Sequence, residues 1–284
     1  MRKVYLDNGS GMPLDSRVFN AVKPYFFEDY GNPSSSHSFG NIAKEALATS
    51  RDKVAQLIGA ENSREIIFTS GGTESNNLAI KGVAYRNKAK GNHIITTAVE
   101  HISVINICKY LQKQGFEVTY VPVDKQGIVD VHKLKAAINE KTILISVQYA
   151  NGEIGTIQPI SEIGKLAKEH NVLFHVDAVA IAGKVPINVQ EENIDLLSLA
   201  SNDLYGPKGV GALYVKKGTK IVPIDQGGGQ ETGLRSGTEN VPGIVGMGKA
   251  AELARAEIDS ESKRLIMLRD KLITGVLDKM LTLS

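Results

Sequence analysis

The sequence lacks tryptophan and has only one cysteine, Cys108, among its 284 residues. A single cysteine excludes an internal disulfide framework and is typical of proteins in a reducing compartment. No apolar run approaches the roughly 18 residues that a membrane-spanning helix needs, and the first residues contain no apolar signal-peptide core. We therefore expect a cytoplasmic protein without a membrane segment.

The sequence also lacks an excess of either charge, with 33 basic and 31 acidic residues and a formal net charge of +2. Because the basic and acidic residues nearly cancel, the net charge gives no reason to expect a nucleic acid or an anionic membrane as a partner. Hydrophobic residues make up 42% and charged residues 23%, which is typical of a globular protein. The length is enough for one large α/β domain, alone or with part of a smaller one.

Short apolar runs alternate with helical patterns from residue 66 onwards. The predicted strands are 66–68, 93–97, 118–123, 143–149, 172–176, 196–199 and 211–215. Helices are predicted at 15–27, 39–58, 74–86, 103–114, 131–138, 161–170, 241–256 and 260–280. This alternation predicts a mostly parallel seven-stranded sheet flanked by helices. The link between the last two strands is too short for a crossover helix, so we expect that pair to be antiparallel.

Polar residues follow the first and sixth predicted strands. Ser201, Asn202 and Asp203 form a corner after the sixth strand, and such strand ends are where ligands bind in α/β proteins. After the first strand, Gly72 and Thr73 open a helix and would present backbone N–H groups to a phosphate. A plain turn with Thr73 as the helix cap explains the same residues equally well.

Other strand ends carry His101, Asn151 and Asp177. His101 could stack on a planar ring, act as an acid or base, or be a surface residue. Asp177 could pair with a protonated ring nitrogen, bind a metal or cap a helix. His175 lies two residues earlier, but no further ligand spacing supports a metal, so no metal site is predicted. Cys108 lies on an apolar helix face and is predicted to be a core residue.

The chain carries an ordered set of motifs: V-Y-L-D-N, G-N-P-S-S-S-H-S-F-G, I-I-F-T-S-G-G-T-E-S-N-N-L-A-I-K-G, H-I-I-T-T-A-V-E-H, A-N-G-E-I-G-T-I-Q-P-I, L-F-H-V-D-A, Y-G-P-K-G-V-G-A-L-Y-V and G-L-R-S-G-T-E-N-V-P-G-I-V-G. Together they resemble the cysteine desulfurases of the NifS/IscS type. Those are fold-type-I, class-V aminotransferase-like enzymes that depend on pyridoxal phosphate (PLP). The resemblance implies a homodimer with PLP as cofactor, L-cysteine as substrate, and sulfur transfer to an iron–sulfur scaffold protein.

The resemblance also implies a role for individual residues. Gly72 and Thr73 would hold the phosphate, His101 would stack on the ring, Asn151 would lie near the ring hydroxyl, Asp177 would pair with the pyridinium nitrogen, and Thr238 would reach the phosphate across the dimer interface. It further implies three parts: residues 1–15 as a segment of the small subdomain, 16–256 as a large α/β domain, and 257–284 as a helix into a truncated or absent C-terminal subdomain. The apolar stripe of that helix is made of Leu265, Leu268, Leu272, Val276 and Met280.

The chain departs from the family pattern at the corner that holds the cofactor. Asp203 stands where the family has the Schiff-base lysine, and a carboxylate cannot form an imine. Ala200, Asn202 and Ala180 stand where the family has a hydroxyl, a histidine and a glutamine, and Ser201 lies between the first two. Lost hydrogen bonds of this kind cost roughly 0.5–3 kcal/mol each. Cys108 is not at the position of the family's persulfide-forming cysteine.

These departures lead to one leading hypothesis and two alternatives. The leading one is a family protein of sulfur mobilisation and iron–sulfur cluster assembly whose PLP chemistry is lost or badly impaired, and which acts as a dimeric scaffold or partner. The first alternative is an active desulfurase, converting L-cysteine to L-alanine plus a persulfide, that binds PLP non-covalently and has its cysteine loop outside this sequence. The second is metal or anion binding through Asp177, Asp203 and His101.

Overall fold

A seven-stranded sheet forms the centre of the computed structural model, which describes residues 3–281. The strands are β1 (Ile66–Thr69), β2 (His93–Thr97), β3 (Glu117–Val121), β4 (Thr142–Gln148), β5 (Leu173–Asp177), β6 (Leu196–Ala200) and β7 (Gly211–Val215). The helices are α1 (Ser16–Val22), α2 (Pro24–Phe27), α3 (Ser38–Leu57), α4 (Gly72–Asn87), α5 (Ile102–Lys113), α6 (Val131–Ala137), α7 (Ile160–Glu169) and α8 (Val241–Leu281).

The strand order is β1-β7-β6-β5-β4-β2-β3. The pairs β2–β3, β2–β4, β4–β5 and β5–β6 are parallel, whereas β7 is antiparallel to both β6 and β1. The predicted fold class is thereby confirmed, including the antiparallel pair at the sixth and seventh strands. Because β1 and β6 are both antiparallel to β7, every strand except β7 ends at the same edge of the sheet.

Helices cover both faces of the sheet and bury two apolar clusters. One cluster includes Val54 of α3, Ile163 of α7 and Met247 of α8. The other includes Val83 of α4 and Cys108 of α5. The prediction that Cys108 is a core residue is confirmed, because its side chain is fully buried. Burial also raises the pKa of its thiol to about 12.

Most predicted boundaries agree with the structure within two residues, but three predicted helices were divided wrongly. The helix predicted at 15–27 is broken into α1 and α2 at Lys23, because Pro24 lacks the N–H that would continue α1. The helices predicted at 241–256 and 260–280 are one continuous helix, α8, of 41 residues. The residues between the two predicted pieces include neither glycine nor proline, so nothing in the local sequence ends the helix.

The second half of α8 presents apolar side chains to solvent. Leu265, Leu268, Leu272 and Val276 are 36%, 46%, 68% and 48% exposed. The side chain of the fifth stripe residue, Met280, is outside the described part of the structure. The predicted terminal segments also include Met1, Arg2 and residues 282–284, which lie outside the described residues. Between residues 3 and 281, no helix has both the length and the apolarity needed to cross a bilayer.

Candidate functional site

A cavity of about 640 Å³ opens at the edge of the sheet where the parallel strands end. Nine of the eleven site residues predicted from the sequence line it: Gly72, Thr73, His101, Asn151, Asp177, Ala180, Ala200, Asn202 and Asp203. The topology explains this gathering, because β6, β5, β4 and β2 are four consecutive strands of the sheet and the chain leaves each of them at this edge.

Asp177 is the last residue of β5 and is buried in the wall of the cavity. Asn76 Nδ2 donates a hydrogen bond to Asp177 Oδ2 at 2.8 Å, and the backbone N–H of Val179 donates to Oδ1 at 3.1 Å. Burial raises the pKa of Asp177, while the hydrogen bond from Asn76 opposes that rise. Sequence reasoning missed Asn76, although it follows the predicted phosphate-binding turn by one helical turn.

The start of helix α4 is held beside Asp177 by close packing. A Cβ atom on Gly72 would lie 2.6 Å from Cγ2 of Val179, so only glycine permits this approach without a shift. Gly71 has a φ of 151°, a conformation that favours glycine. The first backbone N–H groups of a helix have no partner within the helix. The first residues of α4 line the same cavity as the Asp177 carboxylate, so the free N–H groups of this helix lie at that cavity.

His101 is the N-cap of α5 and lines the cavity with an exposed imidazole. Its Nδ1 accepts a hydrogen bond from the backbone N–H of Ser103 at 3.2 Å and lies 2.7 Å from Ser103 Oγ. The ring is thus oriented by its capping contact. His101 can therefore cap α5 and also line the cavity.

Glu100 is a second buried carboxyl group in the cavity wall, and sequence reasoning missed it. Its side chain is 8% exposed. Oε1 accepts hydrogen bonds from Thr97 Oγ1 at 2.6 Å and from the backbone N–H of Gln148 at 3.1 Å. Oε2 has no hydrogen-bond partner among residues 3–281. Burial raises the pKa of Glu100 to about 8, so the carboxyl is mostly neutral at pH 7.

Asp203 lies in the 3₁₀ turn Ser201–Leu204 that follows β6. Asn202 Nδ2 donates a hydrogen bond to Asp203 Oδ2 at 2.7 Å. Burial raises the pKa of Asp203; the charge of Lys184 lowers it, and the charge of Asp177 raises it. The side chain also lines a second cavity of about 300 Å³, to which Lys184 belongs. The Lys184 ammonium donates to the carbonyl oxygen of Ala180 at 2.6 Å.

The two remaining predicted residues, Ser201 and Thr238, do not line the cavity. Ser201 is fully buried, and its Oγ would lie 2.1 Å from a Cβ atom on Gly206. Thr238 is exposed on the glycine-rich loop before α8. Glu231 fixes this loop by accepting two hydrogen bonds of 2.6 Å from the Arg51 guanidinium and one of 2.8 Å from the backbone N–H of Phe68. The role of Thr238 toward a second subunit stays a prediction.

The cavity fits the ring and the phosphate of PLP but not its covalent attachment. Asp177 is a buried acceptor that suits a protonated ring nitrogen, and the start of α4 suits the phosphate. Asp203 offers a carboxylate instead of an amine. Lys184 does not replace the missing amine, because its ammonium is bound to Ala180 and lines the second cavity.

Comparison with known proteins agrees with the motifs. A model of the aminotransferase class-V family matches residues 4–280. Cysteine desulfurase IscS from Dictyoglomus turgidum is 56% identical over 275 residues, which cover 97% of this chain and 70% of the relative. IscS from Methanosarcina thermophila is 55% identical over 276 residues, covering 97% and 68%.

Solved structures show the same similarity. A NifS-like protein superimposes with a TM-score of 0.95 at 42% identity, covering 98% of this chain and 76% of that one. The structure of SspA in complex with cysteine gives a TM-score of 0.86 at 42% identity, covering 88% and 72%. The chain therefore belongs to the class-V aminotransferase family, as a homologue of its cysteine desulfurases of the IscS and NifS type.

Proposed function

We propose that the protein mobilises sulfur from L-cysteine in a cavity that holds PLP without a covalent bond to the chain. The observation that supports this proposal is one cavity lined by the buried carboxyl group of Asp177, the start of α4 and the carboxyl group of Asp203. The family resemblance implies a lysine at the position of Asp203. The named relatives are cysteine desulfurases, and one structural neighbour is described in complex with cysteine. Both facts favour L-cysteine as the amino acid that enters the cavity.

Each wall of the cavity would have a separate task. PLP, when bound, supplies an electron sink for the α-carbon of an amino acid. Asp177, oriented by Asn76, would keep the proton on the ring nitrogen, because a buried carboxylate is stabilised by a cationic partner. Gly72 and Thr73 would bind the phosphate through backbone N–H groups. His101 would cover the face of the ring, and in a homodimer Thr238 would reach the partner's phosphate.

A second candidate function is a dimeric scaffold or partner in iron–sulfur cluster assembly with lost or impaired PLP chemistry. Two observations favour it. Asp203 cannot take the place of the lysine amine. Cys108 is buried with its pKa raised to about 12, so it supplies no thiolate to receive sulfur. The metal-binding alternative gains no support, because residues 3–281 contain no cluster of three acidic, histidine or cysteine side chains that could hold a metal.

Absorption spectroscopy separates the first two candidates. The purified protein is incubated with PLP, passed through a gel-filtration column, and scanned in the near-ultraviolet and visible range before and after addition of L-cysteine. The same sample is reduced with borohydride, and the mass of the protein chain is measured by mass spectrometry. We expect a retained chromophore that responds to L-cysteine, with no mass increase of the chain. Absence of the chromophore would favour the scaffold, and a covalent mass increase would contradict non-covalent binding.

Substitution of Asp203 tests how much the other departures matter. Asp203→Lys alone is expected to add little affinity for PLP, because Ala180, Ala200 and Asn202 still lack the expected hydrogen-bonding groups. The triple variant Ala200→Ser, Asn202→His, Asp203→Lys is expected to retain PLP covalently after gel filtration. Equal retention by the single and triple variants would show that Ala200 and Asn202 contribute little.

A further inference from the structure

The capping contact of His101 has a component that helix capping does not need. His37 caps α3 in the same way, and its Nδ1 accepts one hydrogen bond, from the backbone N–H of Gly40 at 3.3 Å. Nδ1 of His101 accepts the equivalent backbone bond from Ser103 at 3.2 Å, and it also lies 2.7 Å from Ser103 Oγ. The hydroxyl contact is therefore additional to the cap.

The backbone contact fixes the direction of the hydroxyl contact. A backbone N–H group can only donate, so Nδ1 of His101 is an acceptor and carries no proton. The hydroxyl of Ser103 must then donate its own proton to Nδ1. A neutral imidazole carries its proton on one of the two ring nitrogens, so Nε2 of His101 is the protonated nitrogen. Nε2 has no hydrogen-bond partner among residues 3–281.

Asn76 connects this contact to the buried carboxyl group of Asp177. Its Nδ2 donates one hydrogen bond to Ser103 Oγ at 3.0 Å and the other to Asp177 Oδ2 at 2.8 Å. Because Ser103 Oγ accepts from Asn76, its own proton is available for His101. The opposite orientation of the amide would place an oxygen against the Oδ2 acceptor of Asp177. The hydrogen bonds therefore run in one direction, from Asn76 through Ser103 to His101.

We propose that Ser103 is a positioning residue for His101. Its hydroxyl keeps Nδ1 an acceptor and orients the ring, so that the Nε2–H group is the polar group of the imidazole that remains for a ligand in the cavity. A ligand atom that meets this group must be an acceptor, such as a thiolate sulfur or a carboxylate oxygen. The assignment of that atom to L-cysteine rests on the proposed function, whereas the state of the imidazole does not.

Nuclear magnetic resonance tests the contact in the full-length chain before any cofactor is added. The protein is prepared with ¹⁵N-labelled histidine in alkaline buffer, where imidazoles are neutral, and long-range ¹H–¹⁵N spectra give both ring nitrogens. His37→Gln and His101→Gln assign the two rings. We expect Nε2 of His101 to carry the proton. Its Nδ1 should resonate at lower frequency than Nδ1 of His37, because a hydroxyl donates to it in addition to a backbone N–H.

Variants of Ser103 separate positioning from capping. In Ser103→Ala the Nδ1 resonance of His101 should move to the position of the His37 nitrogen, and Ser103→Thr, which keeps a hydroxyl, should retain the parent position. Ser161→Ala is the matched control, because Ser161 is the exposed second residue of α7 and also follows an isoleucine at the start of its helix. Circular dichroism spectra show whether each variant is folded.

A titration with PLP, followed by absorption, gives a second measurement. Ser103→Ala is expected to raise the dissociation constant about fivefold, the factor that corresponds to one lost neutral hydrogen bond. Ser103→Thr and Ser161→Ala should bind PLP as the parent does. A role of Ser103 in capping alone predicts no change in either the Nδ1 resonance or the affinity.

Each outcome bears on one part of the reasoning. A proton on Nδ1 of His101, or an Nδ1 resonance equal to that of His37 in the parent protein, would overturn the proposal, and this comparison needs no variant to fold. An Nδ1 resonance that is unchanged in folded Ser103→Ala would overturn it as well. Failure of the parent to bind PLP would overturn the proposed function, while the resonances would still decide the state of His101.

Discussion

Replacement of Glu100 by glutamine is expected to change how the stability of the protein depends on pH. The side chain is buried, and its pKa is raised from the ordinary value of 4.5 to about 8. Between those two pH values the folded protein keeps a proton that the unfolded chain has lost. The free energy of unfolding therefore falls as pH rises, by about 1.4 kcal/mol per pH unit. Glutamine has nearly the same shape and does not titrate.

The size of the effect follows from the two pKa values. From pH 6 to pH 8, Glu100 should lower the free energy of unfolding of the parent protein by about 2 kcal/mol, and this contribution should disappear in Glu100→Gln. His175 acts in the opposite direction at lower pH. It is fully buried between Ser146 and Ser198, and burial lowers its pKa from 6.5 to about 3. Below pH 6.5 its protonation in the unfolded chain favours unfolding.

The two groups oppose each other between pH 4.5 and pH 6.5 in the parent protein. In Glu100→Gln the contribution of His175 is no longer opposed, so the variant should lose about 1.4 kcal/mol per pH unit as pH falls through this range. Urea unfolding followed by far-ultraviolet circular dichroism, at half-unit steps from pH 5 to pH 8, measures both slopes. Glu169→Gln, an exposed change at the end of α7, is the matched control. Parallel pH profiles for Glu100→Gln and the parent would refute the assignment.

Two further substitutions test contacts that hold the elements around the cavity. Glu231→Gln is expected to lower the free energy of unfolding by about 3 kcal/mol, because the guanidinium of Arg51 loses its buried counter-charge; urea unfolding measures the loss, and an unchanged midpoint would contradict it. Gly164→Ala places a Cβ atom 1.9 Å from the carbonyl oxygen of Glu192 and is expected to cost about 1–3 kcal/mol. Gly229→Ala, whose Cβ atom meets nothing within 4 Å, is its control in thermal unfolding.

The sheet could be predicted from the sequence because each strand is a short apolar run with a polar residue after it. The strands β2 and β7 begin and end where the pattern predicts them, at His93–Thr97 and Gly211–Val215. The polar residues that end neighbouring parallel strands meet by topology alone, so His101, Asp177 and Asp203 could be assigned to one site. No side-chain detail was needed for that step.

Contacts between distant segments were not predictable in the same way. No apolar periodicity or turn motif marks Asn76 or Glu100 in the sequence. Asn76 is hydrogen-bonded to Asp177 and Glu100 to the backbone of Gln148, and both partners are far away in sequence. The continuity of α8 was missed for a different reason. Its apolar residues change from buried, as at Met247, to exposed, and that change resembles a helix boundary in a sequence pattern although the backbone continues.

The energetics of the cavity give a reason to expect an occupant. Burial raises the pKa of Asp177, Glu100 and Asp203, so each of these carboxyl groups loses hydration that the protein replaces only in part. A ligand that brings cationic groups compensates for the lost hydration. At a concentration of one hundred times its dissociation constant, a ligand adds about 2.7 kcal/mol to the free energy of unfolding. A cofactor with a protonated ring nitrogen would supply such a cationic group to Asp177.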